Sequence, residues 1–251
     1  MATKIIINAD DCGISRYVNA EIESCILSGK ITSATIMANM DDFEGAVGLY
    51  KKYHEQISFG WHMNLTEGEP LLKSQLLLDK GYFVDRDGKL EFNTNDFRNK
   101  LPSKSVWCEL KKELVAQYEK LRDSGVQITH ADSHQYIHTS PGLGLLIPSF
   151  LRELKIDRCR RVENYGFSTK SYLARQLWTA TFKMRGLRLP DTFTFFINYY
   201  DNATLKQGET IELMIHPGHA KTPYKEEYET MLQADYAKLW PNATLINYKQ
   251  I

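Results

Sequence analysis

Little in this chain could cross-link it or anchor it. It has only four cysteines, Cys12, Cys25, Cys108 and Cys159, far apart and with no C-x-x-C pair. That argues against a zinc ribbon, a redox pair and a disulfide scaffold. Long hydrophobic runs are also missing. The opening stretch MATKIIINADDCG turns polar after three isoleucines. A secretion signal needs a longer apolar segment, and a membrane span needs roughly 20 such residues. A soluble, cytoplasmic protein with no membrane partner is therefore expected. Neither sign of charge is in excess, with 31 Lys plus Arg against 31 Asp plus Glu. The overall field gives no pull toward nucleic acid or an anionic surface, so a neutral or locally recognised partner is expected. No repeat and no low-complexity tract is present.

What is present is 251 residues, enough to bury a large core without staples and a normal length for one α/β barrel. Residues 4–8, β-branched and apolar, read as a fully buried strand that stops at Asp10-Asp11. Ser15 caps a helix carrying Val18, Ile22, Cys25 and Ile26 on one face, and Gly29 ends it. Residues 33–38 form a second strand. Asp41 or Asp42 caps a helix with Phe43, Val47 and Tyr50 inward, and residues 57–65 hold a third strand. After an interruption, 105–124 is an amphipathic helix closed by Gly125, and 126–131 is a strand. A helix at 148–154, a short strand near 160–162 and a helix over 172–184 follow. Strands at 193–197 and 211–215, a long helix at 225–239 and a final strand at 243–247 complete the order. Strands alternating with helices imply a mostly parallel sheet, here a distorted, TIM-like (β/α) barrel in one domain, 1–251.

The interruption, 66–104, contains Gly68, Pro70, Gly81, Gly88 and Pro102. A loop this long is usually a lid or an interface element. Its aromatics, Tyr82, Phe83, Phe92 and Phe97, would suit a sugar-stacking or partner surface, including one shared by two copies in a homodimer. A small ordered subdomain with no part in chemistry is the other reading.

The chemical residues are placed in a telling way. Asp10 and Asp11 follow the first strand, His62 closes the third, His130 and His134 come at and just after the end of 126–131, and His216 follows IELMI. Carboxyl ends of parallel strands converge on one mouth, where active sites sit. Carboxylate and imidazole together suit zinc, manganese, iron, cobalt or magnesium. One aspartate and two histidines leave positions open for water and substrate. A second carboxylate could then accept a proton, and an imidazolium could supply one. Each residue taken alone has a plainer reading. An Asp-Asp pair is often a turn or cap device, His62 could be a packed strand-end histidine, and His-Pro-Gly at 216–218 is a turn signal. In THADSHQYIH, His130, His134 and His138 recur every four residues around Asp132, as metal ligands often do. His54 sits on a polar helix end, and His219 lies near enough to the mouth to meet a substrate.

The segments NADDCG (8–13), GWHMNLTEG (60–68), THADSHQYIH (129–138) and HPG (216–218) resemble, in the right order, the motifs of the YdjC/ChbG family of carbohydrate deacetylases. That resemblance implies a distorted (β/α) barrel and removal of an N-acetyl group from an acetylated sugar such as a chito-oligosaccharide. It implies Asp10 as the proton-accepting carboxylate, Asp11, His62 and His134 as ligands of one divalent ion, Mg2+ or Zn2+, and His216 as the imidazole acid. His130, Asp132, His138, Asn64 and Glu67 are candidates for supporting or substrate contacts, with His138 also eligible as a ligand. Cys12 stands where many members carry an aromatic residue, and Tyr136 where histidine is frequent, which bears on the sugar rather than the reaction. Two other functions are weighed against this one. A non-catalytic carbohydrate-binding barrel has no need of Asp10 beside a metal. A metal phosphoesterase would usually place lysine or arginine in these four motifs.

Overall fold

The computed structural model describes residues 2–93, 101–200 and 207–251. Its spine is β1 (Thr3–Cys12), in which every residue except Lys4 is buried. β1 pairs in parallel with β2 (Ser33–Ile36) on one side and with β8 (Thr210–Ile215) on the other. β2 passes to β3 (Ser58–Met63) and β3 to β6 (Ala131–Ser133), while β7 (Thr192–Phe195) lies outside β8 and the short β9 (Ala243–Leu245) lies beside the start of β1. The result is an α/β fold with a seven-stranded parallel sheet in the order β6-β3-β2-β1-β8-β7. It curls into a half-barrel flanked by helices. No described helix is long and apolar enough to cross a membrane.

Among the described residues, the outer edges β6 and β7 are linked through the chain between them. Residues 158–164 run there without a continuous ladder. Ala131 bridges Cys159 and Arg158 bridges Arg188, and the Asn164 amide oxygen accepts the Phe193 N–H at 2.9 Å. The strand expected at 160–162 is thus an irregular stave. The strand expected at 126–131 is regular only from Ala131, although His130 O still accepts the Trp61 N–H. His130 consequently lies at the foot of the strand instead of at its carboxyl end.

The helices follow their sequence signals closely. In α1 (Arg16–Leu27), the Ser15 hydroxyl accepts the Val18 N–H, and Val18, Ile22, Cys25 and Ile26 are buried. Gly29 turns away at φ +66°, a conformation that costs glycine little. α2 (Phe43–Tyr53) begins after Asp42, whose carboxylate makes no cap bond and instead accepts from the Asn19 amide at 2.8 Å. The insertion is an ordered subdomain over 66–93, with α3 (Gln75–Asp79) and a hairpin of β4 (Phe83–Arg86) and β5 (Lys89–Phe92). It docks on α4 (Lys104–Asp123), where the buried Glu113 carboxylate accepts the Leu71 and Leu72 N–H groups. Phe83 and Phe92 pack edge to face in this subdomain and are buried, so neither is available to a sugar. Phe97 lies outside the described residues.

α5 (Ile147–Glu153) and α6 (Thr169–Met184) fall between β6 and β7 in the chain. The strand expected over 193–197 ends at Phe195, where α7 (Phe196–Tyr200) begins. The helix expected over 225–239 is two, α8 (Tyr224–Gln233) and α9 (Tyr236–Leu239), because Asp235 leaves helical geometry and caps the second. β9 ends at Leu245, short of the expected 247, and a 3-10 turn over Tyr248–Gln250 follows.

Candidate functional site

At the carboxyl ends of the strands lies a cavity of about 480 Å³ lined by Asp10, Asp11, His62, His134 and His216, among others. A regular strand would send adjacent Asp10 and Asp11 to opposite faces. Here the register of β1 against β2 shifts between Ala9 and Cys12, and Asp11 takes a left-handed φ of 64°. Such a conformation is costly for a residue with a side chain and gathers at functional sites. It brings both carboxylates to the same cavity.

Asp11 is the hub. Its Oδ1 lies 3.1 Å from His62 Nε2 and 2.9 Å from His134 Nδ1, and its Oδ2 lies 3.1 Å from His219 Nε2. Asp11, His62 and His134 each offer a ligand atom within 4.8 Å of the others. The remaining nitrogens are already engaged. His62 Nδ1 sits 2.6 Å from Asp132, which also accepts the Thr35 hydroxyl, and His134 Nε2 sits 2.8 Å from Glu67. Such outer partners fix which nitrogen of an imidazole faces inward. Burial alone would depress both imidazoles. Asp132 and Asp11 outweigh it at His62 and push its pKa up to about 10. Asp11 and Glu67 do the same at His134, pushing it to about 9. A site that favours positive charge this strongly, with carboxylate and imidazole donors converging, fits a divalent cation. A second group, Asp10, His62 and Asp132, is equally compact, but a guanidinium already fills it.

That guanidinium belongs to Arg160, which is completely buried. It grips Asp10 with two N–H groups at 2.7 Å each, reaches Asp132 at 2.9 Å and Glu212 at 2.8 Å. Burial would raise the Asp10 pKa, but Arg160 overrides it and holds the carboxyl at about 2. Below, Glu212 accepts the Tyr248 hydroxyl at 2.5 Å, and burial, partly opposed by Arg160, pushes Glu212 up to about 7. Sequence reading missed Arg160. It lies in DRCRRV, where three arginines and no periodicity mark none as special.

His216 lines the cavity from the other side. Its Nδ1 is 3.6 Å from the buried Glu227 of α8, and its ring lies 4.3 Å from that of Tyr224. Glu227 too was not foreseen, since an acidic side chain on a polar helix reads as solvated.

Three other sequence candidates fall elsewhere. His130 is buried below the cavity, stacked on Tyr248 at 3.6 Å with Nδ1 against the Thr129 hydroxyl. A Cβ at Gly60 would stand 2.5 Å from this ring, so only glycine fits there. His138 is buried against the Ser133 hydroxyl and outside both ligand groups, and burial lowers its pKa to about 3. Asn64 shapes the loop after β3. Its amide oxygen accepts the Thr66 and Glu67 N–H groups, which carries Glu67 to His134.

The profile of the family described as YdjC-like protein matches residues 4–242. A carbohydrate deacetylase of Brevibacillus brevis is 33% identical over 216 residues, covering 86% of this chain and 82% of that protein. One from Clostridium beijerinckii is 26% identical over 99% of this chain and 100% of its own. A chitooligosaccharide deacetylase of Yersinia pestis is 28% identical over 86% of this chain and 82% of its own. A crystal structure of an Enterococcus faecalis protein, provisionally named for cellobiose-phosphate cleavage, superposes with a TM-score of 0.73 at 21% identity. The match covers 100% of this chain and 99% of that one, and it bears on the fold alone.

Proposed function

Since the chain belongs to the YdjC-like protein family, we propose that it is a carbohydrate deacetylase, a hydrolase that removes the N-acetyl group from a sugar of the chito-oligosaccharide type. Asp11, His62 and His134 are the ligands of one divalent ion, Mg2+ or Zn2+. The observation that carries this reading is Asp10, kept ionised by Arg160 beside an Asp-His-His cluster in one cavity.

A bound divalent ion polarises a carbonyl and lowers the pKa of water next to it. The protein's own residues handle the protons. Asp10, ionised at neutral pH and fixed by the Arg160 fork, accepts the proton from the water that attacks the acetyl carbon. The water oxygen bonds to that carbon as the carbonyl π pair moves onto oxygen, and the C–N bond breaks as the carbonyl re-forms. An amine is a poor leaving group until protonated, and His216, facing Glu227, gives the nitrogen its proton. The products are acetate and the free amino sugar.

The test is release of acetate and amine from N-acetylglucosamine oligomers, measured with several divalent metals and again with chelator. Release that stops with chelator and returns with metal is the expected result. Sugar binding with no release under any metal would sink the catalytic reading and leave a binding barrel.

A further inference from the structure

A second cavity, of about 310 Å³, adjoins the first, and the two share Gln135 and Tyr136 as lining. These residues form the saddle between them, and both hold left-handed backbone, at φ 51° and 59°. Two consecutive non-glycine residues in that region cost free energy, and such strain gathers where a surface is shaped for a ligand.

Beyond the saddle stand Glu163 and Arg175, neither of which the proposed chemistry uses. Glu163 follows the irregular stave, and its carboxylate is oriented by the Thr194 hydroxyl at 3.1 Å. Arg175 comes from α6. Its guanidinium lies 3.6 Å above the Phe167 ring and donates to the Glu163 backbone carbonyl at 2.9 Å. The ring and the carbonyl hold the guanidinium plane, so its N–H fork is preorganised. A carboxylate that accepts and a planar guanidinium that donates, facing one small cavity, match the adjacent hydroxyls of a pyranose. An anionic ligand would meet the Glu163 carboxylate, so a neutral polyol is the better fit.

We propose that Glu163 and Arg175 form a subsite for the sugar unit next to the one being deacetylated, so that the substrate is an oligosaccharide lying across Gln135 and Tyr136. This rests on the deacetylase reading and adds the residues that hold the second sugar unit.

The experiment compares kcat/KM for N-acetylglucosamine and for its β-1,4-linked dimer and trimer in wild type, E163Q and R175K. E163Q keeps the shape of the subsite and R175K keeps its positive charge, and thermal melting checks their folding. Calorimetric binding of the trimer is measured alongside. The wild type is expected to favour dimer over monomer. Each variant should lose roughly tenfold or more on dimer and trimer, mainly through KM, as expected for hydrogen bonds to charged groups. Monomer turnover should be unchanged within about twofold. Equal losses on monomer and oligomer, or no loss on either, would overturn the subsite while leaving the deacetylase intact. If no sugar is turned over, the trimer titration decides the subsite by itself: weakened binding in the variants upholds it and unchanged binding ends it.

Discussion

Exchanging Arg160 for methionine would leave three buried carboxylates, on Asp10, Asp132 and Glu212, without their common cation. Removing one partner of a buried ion pair typically costs about 3–5 kcal/mol, because the charge left behind is neither solvated nor paired. With an unfolding entropy near 2.1 cal/mol/K per residue over a chain of this length, that loss lowers Tm by about 6–10 °C. The pH dependence gives a sharper check. In wild type the depressed Asp10 pKa stabilises the fold above the ordinary carboxylate pKa, and this is lost only as pH falls toward about 2. In the variant, burial acts on Asp10 against only His62, His216 and the Asn8 amide, and its pKa rises from the wild-type value. Glu212, at about 7 even with Arg160 present, rises further. The folded variant therefore binds protons that the unfolded chain does not, and it gains stability as pH falls. Calorimetric melts of R160M and wild type at pH 7.5 and pH 5 should show the larger gap at pH 7.5. An unchanged Tm, or a gap that widens at pH 5, would refute the claim that Arg160 neutralises this cluster.

At neutral pH His62 and His134, with pKa values of about 10 and 9, carry protons that a divalent ion must displace. Apparent metal affinity should rise with pH, and calorimetry in buffers of different ionisation enthalpy should record release of about two protons per ion; binding without release would contradict the assignment. Metal content, read by atomic emission, should collapse in H62A, H134A and D11N but stay near wild type in D10N. D10N and H216A should each lose about 10²–10⁴ in kcat in the amine-release assay, and if D10N lost the metal instead, the roles of the two aspartates would be exchanged. G60A drives a Cβ into the His130 ring and should cost about 1–3 kcal/mol in urea unfolding, with metal content unchanged because His130 lies outside the ligand group.

Much of the site could be read from the sequence because it sits where the fold rule puts it. Asp11, His134 and His216 follow buried apolar runs and His62 lies at the end of one, and such runs stand out in a sequence. What could not be read depends on departures from periodicity. Alternation along β1 separates Asp10 from Asp11, and only the register shift and the φ of Asp11 reunite them. Arg160 lies on a stave held by single bridges, with no alternation to mark an inward side chain. His130 sits below the mouth because β6 runs to Ser133, two residues beyond the end of the apolar run. In α4 the sequence does carry a signal. Glu113 and Gln117 share the face of Leu110, Leu114 and Leu121 and are buried with them, but polar side chains on an amphipathic helix are by habit assigned to water.

The order of pairing along the chain also bears on how the molecule is made. β1 carries both aspartates, yet one flank waits for β8, which leaves the ribosome roughly two hundred residues later. Until then a run of isoleucines has an open edge, and edges of this kind recruit other chains. Synthesis of this protein thus includes an interval in which the strand carrying both aspartates lacks its β8 neighbour, and the pocket can close only after that interval ends. A slow stretch of translation before residue 210 would lengthen the exposure.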